Sequence, residues 1–199
     1  METSERIELP LFALNTVLYP GGALPLKVFE QRYVEMTKRC VRDGSAFGVC
    51  LIREGSEVGE PALPATIGCT ARIEQWDLPH PNLFHLLARG ERRFRVLRTQ
   101  VAALGLVMCE AEMLPNEAPA GTPDDLCRNV LASLVERIGA ERFPSPLQLD
   151  DPAWVGYRLA EALPLSMDAR QQLLEIDQAA DRLDLLHGML VAAGIGQTG

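Results

Sequence analysis

Residues 9–33 read LPLFALNTVLYPGGALPLKVFEQRY, and the parsing of this stretch decides the fold. Tyr19-Pro20-Gly21-Gly22 is a turn signal between two apolar runs: Pro presets φ for one turn position, and Gly accepts the positive φ of the next. The runs on either side predict strands over Ile7–Leu11 and Leu24–Val28. From Phe29 the periodicity changes. Tyr33, Met36, Cys40 and Val41 follow Phe29 at spacings of 4, 7, 11 and 12, one face of a 3.6-residue period. This predicts a helix from Glu30 to about Arg42, stopped by Asp43-Gly44.

Further along, β-branched and aromatic runs bounded by Gly, Pro and polar clusters predict strands over Phe47–Ile52, Thr66–Gln75, Leu83–Ala88, Phe94–Leu97 and Leu106–Met113. Leu114–Gly121 (LPNEAPAG) lacks periodicity and reads as a linker. The helical period then dominates. Thr122 with Pro123 and Asp125 has the pattern of a helix start, with Leu126, Val130, Leu131, Leu134 and Ile138 as its apolar face. Asp151-Pro152 opens a second helix, Ser166 caps a third, and Gln178–Ala193 forms a fourth. In that last helix Ala179, Leu183, Leu186 and Leu190 mark the buried face, and Asp181, Arg182 and Asp184 are expected on the others. The fold class is therefore α+β, with a β-rich unit over residues 1–114 that carries one inserted helix, followed by a helical bundle over residues 122–195.

Composition narrows the function. With 47% hydrophobic and 23% charged residues, the 199-residue chain can bury a core unaided. No apolar run is long enough for a membrane span, and METSERIELP has no secretory pattern, so a cytoplasmic location is expected. Cys40, Cys50, Cys69, Cys109 and Cys127 lack the short paired spacing of metal knuckles and are expected to be buried thiols, with no metal and no cofactor. The net charge of −8 is uneven: residues 1–114 hold 13 Lys and Arg against 14 Asp and Glu, residues 115–199 hold 6 against 13. An acidic second half disfavours nucleic acid there.

The segments Leu9-Pro10-Leu11-Phe12, Tyr19-Pro20-Gly21, Pro25-Leu26, Phe29-Glu30, Arg32-Tyr33 and Met36 together resemble the opening of the N-terminal substrate-recognition domain of Lon proteases. Phe47-Gly48-Val49, Ile67–Ile73, Gly90 and Arg93–Val96 continue the likeness. Gln171–Glu175, Arg182-Leu183 and Leu185-Leu186 resemble the bundle that follows in Lon. The resemblance implies a PUA-like pseudo-barrel that recognises unfolded or hydrophobic peptides and proteins. No G-x-x-x-x-G-K-[ST] and no Gly-Lys pair occurs, so a P-loop is missing. Lys27 and Lys38, the only lysines, lie in the segment resembling the recognition domain and do not match the catalytic lysine of Lon. A non-catalytic module without ATPase or protease parts is the resulting expectation, with a small-ligand or RNA-binding regulatory PUA-like domain as the alternative.

The candidate binding residues are Tyr19, Glu30, Arg32, Tyr33 and Arg93. Tyr19 would anchor a ligand if its loop borders the recognition surface. Glu30 and Arg32 flank the helix face of Phe29, Tyr33 and Met36, which serves either as a groove or as the packing face of the helix. Arg89, Arg92, Arg93, Arg95 and Arg98 form the densest basic run, yet alternation sends Arg93 and Arg95 outward from Phe94 and Val96 without requiring a ligand, and no stacking aromatics interleave them. His80 and His85 near Asp77 lack a nucleophile and metal spacing. Gly194–Gly199 spells G-x-G-x-x-G, but it follows a helix instead of leading into one and is set aside.

Overall fold

The computed structural model describes residues 5–117 and 121–196 and divides into two compact units, Met1–Asn116 and Glu117–Gly199. Residues 1–4, 118–120 of the expected linker, and 197–199 of the glycine-rich C-terminal stretch lie outside the described residues.

The first unit contains β1 (Arg6–Leu14), β2 (Ala23–Val28), α1 (Gln31–Asp43), β3 (Phe47–Glu54), β4 (Leu63–Pro64), β5 (Ile67–His80), β6 (Leu83–Val101) and β7 (Val107–Met113). The strands run in the order β1-β7-β6-β5-β3, and β1 pairs in parallel with β3 to close the ring. This is the expected pseudo-barrel with one inserted helix. Gly44 ends α1 at φ 61°, where an L side chain would be strained, and its N–H reaches the Cys40 carbonyl.

β6 corrects the sequence reading. Two strands were expected over Leu83–Ala88 and Phe94–Leu97, but 19 residues form one strand. Its first half pairs with β2 and β5, and its second half pairs with β7. Gly90 sits at the changeover because a Cβ there would stand 2.2 Å from the Tyr19 carbonyl oxygen. A glycine inside a strand thus marks close backbone approach, not a break. Opposite it, β5 is irregular between Cys69 and Ala71. The buried Thr70 hydroxyl accepts from Arg92 N–H at 3.1 Å and donates to the Arg92 carbonyl at 3.3 Å, so the irregularity leaves neither group unsatisfied.

Two apolar clusters fill the unit. One packs Phe12, Tyr33, Met36, Phe47 and Phe84 beneath α1. The other gathers Leu9, Leu11, Cys50, Phe94 and Cys109. Tyr33 and Met36 are therefore packing residues, and Tyr33 stacks on Phe12 with ring centroids 3.9 Å apart. Phe29, expected on the same face, is instead exposed, because the helix begins two residues after it.

The second unit holds α2 (Asp125–Ile138), α3 (Pro152–Ala162), α4 (Met167–Glu175) and α5 (Ala179–Ala192). Asp151 caps α3 through Ala153 and Trp154 N–H, with Pro152 in the first turn, and Ser166 caps α4 through Ala169 N–H. At α2 the cap is Asp124, not Thr122, and the buried face is Cys127, Leu131 and Val135, with Ile138 exposed. Shifting the start moves the apolar stripe with it. Arg182 also departs from expectation: it is fully buried on α5. Its guanidinium donates to Glu117 at 2.7 and 2.8 Å and to the Leu173 and Ile176 carbonyls, and lies 4.1 Å from the Tyr157 ring centroid. Tyr157 also donates to Glu117. The α4–α5 turn and Glu117 supply enough acceptors to hold a charge without water.

Candidate functional site

The five predicted binding residues separate in the structure. Tyr19 is fully buried, pinned where Gly90 approaches its carbonyl, so it presents no side chain to a ligand. Arg93, expected to face outward, is 4% exposed. Glu30, Arg32 and Tyr33 come together at the start of α1. Arg32 reaches Glu30 at 3.0 Å and lies 4.7 Å from the Tyr33 ring centroid, while its Nη1 donates to the Gly105 carbonyl at 3.4 Å. Burial raises the Tyr33 phenol pKa, with Arg32 opposing and Glu30 and Glu57 reinforcing the rise. A buried neutral phenol beside a closed ion pair is a structural arrangement first.

Around this anchor the surface turns apolar. Phe29 and Val58 stand 60% and 57% exposed beside a hollow of about 170 Å³ that runs along β2 and is backed by Phe12 and Tyr33. Among the described residues β2 pairs with β6 alone, and Pro25 fits such an edge, having no N–H to offer a second neighbour. On the other side of Arg32, Val101 and Leu104 line a shallow hollow of about 530 Å³ with Pro61. Leu104 has φ 61°, a left-handed conformation that β-carbon sterics disfavour. Val58, Val101 and Leu104 were missed because they lie in loops and at a strand end, where periodicity carries no signal, whereas Phe29 was singled out on the helix face.

The basic run is neutralised within its own sheet. Arg89 pairs with Glu74, Arg92 with Glu5, Arg95 with Glu112, Arg98 with Glu110 and Arg72 with Glu91. Phosphates would compete with carboxylates already in place, so this stretch is poorly suited to nucleic acid. His85 sits opposite Asp77 across the β5–β6 pairing, and His80 ends β5, where a turn was expected.

A Cys, His and Asp do meet at the head of α2. Asp124 accepts from Cys127 N–H at 3.0 Å and lies 3.0 Å from His187 Nδ1. This grouping is unsuited to nucleophilic catalysis. Burial, followed by the Asp124 and Asp184 charges, pushes the Cys127 thiol up to about 12, and the sulfur's own partner is the Leu183 carbonyl. Cys50 and Cys109 are likewise raised by burial, Cys109 to about 11. Among the described residues no His, Cys, Asp and Glu group could hold a metal ion.

Residues 8–192 match the model of the ATP-dependent protease La (LON) substrate-binding domain, and the chain belongs to that family. A solved structure of a Lon N-terminal domain protein from Xanthomonas campestris is 40% identical with a TM-score of 0.75, covering 92% of this chain and 98% of that one. The N-terminal domain of Lon protease from the Mycobacterium avium complex shares the fold at 17% identity and a TM-score of 0.65, covering 90% and 96% of the two chains. Lon protease of Anaeromyxobacter dehalogenans is 27% identical over 195 residues, covering 92% of this chain but 23% of that protein. The chain spans about a quarter of the length of the curated relatives it matches.

Proposed function

We propose that this protein is a non-catalytic recognition module that binds unfolded or hydrophobic segments of other proteins. The observation that carries the reading is the exposed apolar collar of Phe29, Val58, Val101 and Leu104 around the start of α1. It sits in a domain whose family is that of a protease substrate-binding domain. Solvent-exposed apolar side chains bordering hollows are the usual means of engaging non-native chain. Glu30, Arg32 and Tyr33 then act as the scaffold that holds the collar, with Glu30 the most accessible of the three. The module itself neither hydrolyses ATP nor cleaves peptide.

Titration calorimetry against a reduced, unfolded protein and against apolar peptides tests this reading. Saturable binding that weakens in a Phe29→Ser, Val58→Ser variant of unchanged stability is the expected result. Absence of binding to every apolar peptide and unfolded protein would remove it. The cytoplasm is the compartment in which this reading places the protein, and fractionation with a fluorescent fusion checks that placement.

A further inference from the structure

A hollow of about 660 Å³ lies between α1 and the tip of the β6–β7 hairpin. Met108 gives it an apolar floor backed by the buried Met36 and Leu106, and Leu104 stands at its lip, 63% exposed. Thioether side chains repack around partners of different shape. The α1 wall is cationic, with Lys38, Arg39 and Arg42. Lys38 is held by Glu35 at 2.8 Å and Arg42 by Asp43 at 2.7 Å. Arg39 is exposed and makes no hydrogen bond or ion pair among the described residues. Of the two carboxylates facing the same hollow, Glu35 is paired with Lys38 and bonded by Gln31, while Glu8, on β1 and not on α1, accepts from the neutral Gln100 and keeps its charge. The unused charge on the α1 wall is therefore positive.

Leu104 supplies the second observation. It holds φ 61° while most of its side chain faces solvent, so burial within this chain does not compensate the conformation. Gly or Asn would occupy the position with less strain. A strained backbone that presents an apolar group outward is the kind of outlier found at ligand-contacting sites.

We propose that this hollow takes an unfolded segment in which an apolar side chain is flanked by an acidic residue. The apolar group packs on Leu104 and Met108, and the carboxylate pairs with Arg39. This rests on the reading of the chain as a peptide-recognition module and narrows its substrate class.

Fluorescence anisotropy on the whole chain tests it with three labelled peptides: one apolar with Asp neighbours, the same apolar residue with Lys neighbours, and Ser in its place with Asp neighbours. The first is expected to bind most tightly. Arg39→Glu should weaken it roughly three- to tenfold, the range for exchanging one exposed attraction for a repulsion, and should favour the Lys-flanked peptide. Leu104→Asn should weaken both apolar peptides while the melting temperature holds or rises. Equal binding of the two apolar peptides with no response to Arg39→Glu would overturn the acidic preference and leave peptide recognition standing. Failure of both apolar peptides to bind would overturn the recognition reading itself. Equal binding of the Ser peptide, or a lowered melting temperature for Leu104→Asn, would overturn the assignment of the apolar hollow.

Discussion

Phe94→Ala is the sharpest probe of how the β-rich unit is held. Phe94 is fully buried, and its ring tip lies in space that two glycines leave open: a Cβ at Gly48 would stand 2.7 Å from Phe94 Cζ, and one at Gly68 2.8 Å. Glycines have no side chain with which to collapse into the void left by the ring. The loss should therefore fall within the usual range for buried Phe→Ala, about 3–5 kcal/mol. At roughly 4 °C or more per kcal/mol for a unit of this size, the melting temperature should drop by at least about 12 °C. Scanning calorimetry reads this directly. The same packing predicts non-additivity. Gly48→Ala alone crowds Phe94, Leu9 and Leu11 and should cost about 1–3 kcal/mol, but less once the ring is gone, with coupling of about 1 kcal/mol. An unchanged melting temperature for Phe94→Ala, or strict additivity with Gly48→Ala, would refute the packing argument.

Three further outcomes are expected. Gly90→Ala sets a Cβ against the Tyr19 carbonyl, a backbone atom that cannot rotate away, and should destabilise the unit by more than about 1 kcal/mol in urea unfolding. Glu117→Ala strands the fully buried Arg182 guanidinium and should cost about 3–5 kcal/mol, whereas Glu117→Ala with Arg182→Met should recover part of the loss in the same assay. Burial, the largest single influence on Asp124, raises its pKa, but the hydrogen bonds from Cys127 and His187 and the His187 charge together outweigh it and hold the carboxyl below its ordinary value. Its folded-state pKa therefore lies below the unfolded value, so its stabilisation is present above about pH 4 and lost as pH falls through the folded value. Asp124→Asn keeps a competent cap and should flatten that acid-side decline in urea midpoints measured across pH, and an unchanged slope would count against it.

Much of the architecture was legible in residues 9–33. Pro and Gly impose a turn chemically, and a change from strand alternation to a 3.6-residue period marks where α1 begins, because both depend on local backbone geometry. Asp151-Pro152 and Ser166 announced α3 and α4 for the same reason: a cap is satisfied by residues two or three positions away. The resemblance carried by those local motifs led to the family. What the chain order could not reveal was decided by distant neighbours. Leu83–Ala88 and Phe94–Leu97 read as two strands until Gly90 is packed against Tyr19, and only the ring explains why β6 runs through. Arg182 reads as a surface charge until Glu117, Tyr157 and two carbonyls surround it. Tyr19 and Arg93 read as accessible until the sheet closes over them. Val58, Val101 and Leu104 carry no periodic signal and Phe29 reads as part of the buried α1 face, and their convergence around α1 arises from how the barrel brings separate segments together. Local backbone chemistry thus sets the elements, while burial, the free edges and the exposed collar depend on which distant segments the tertiary fold makes neighbours.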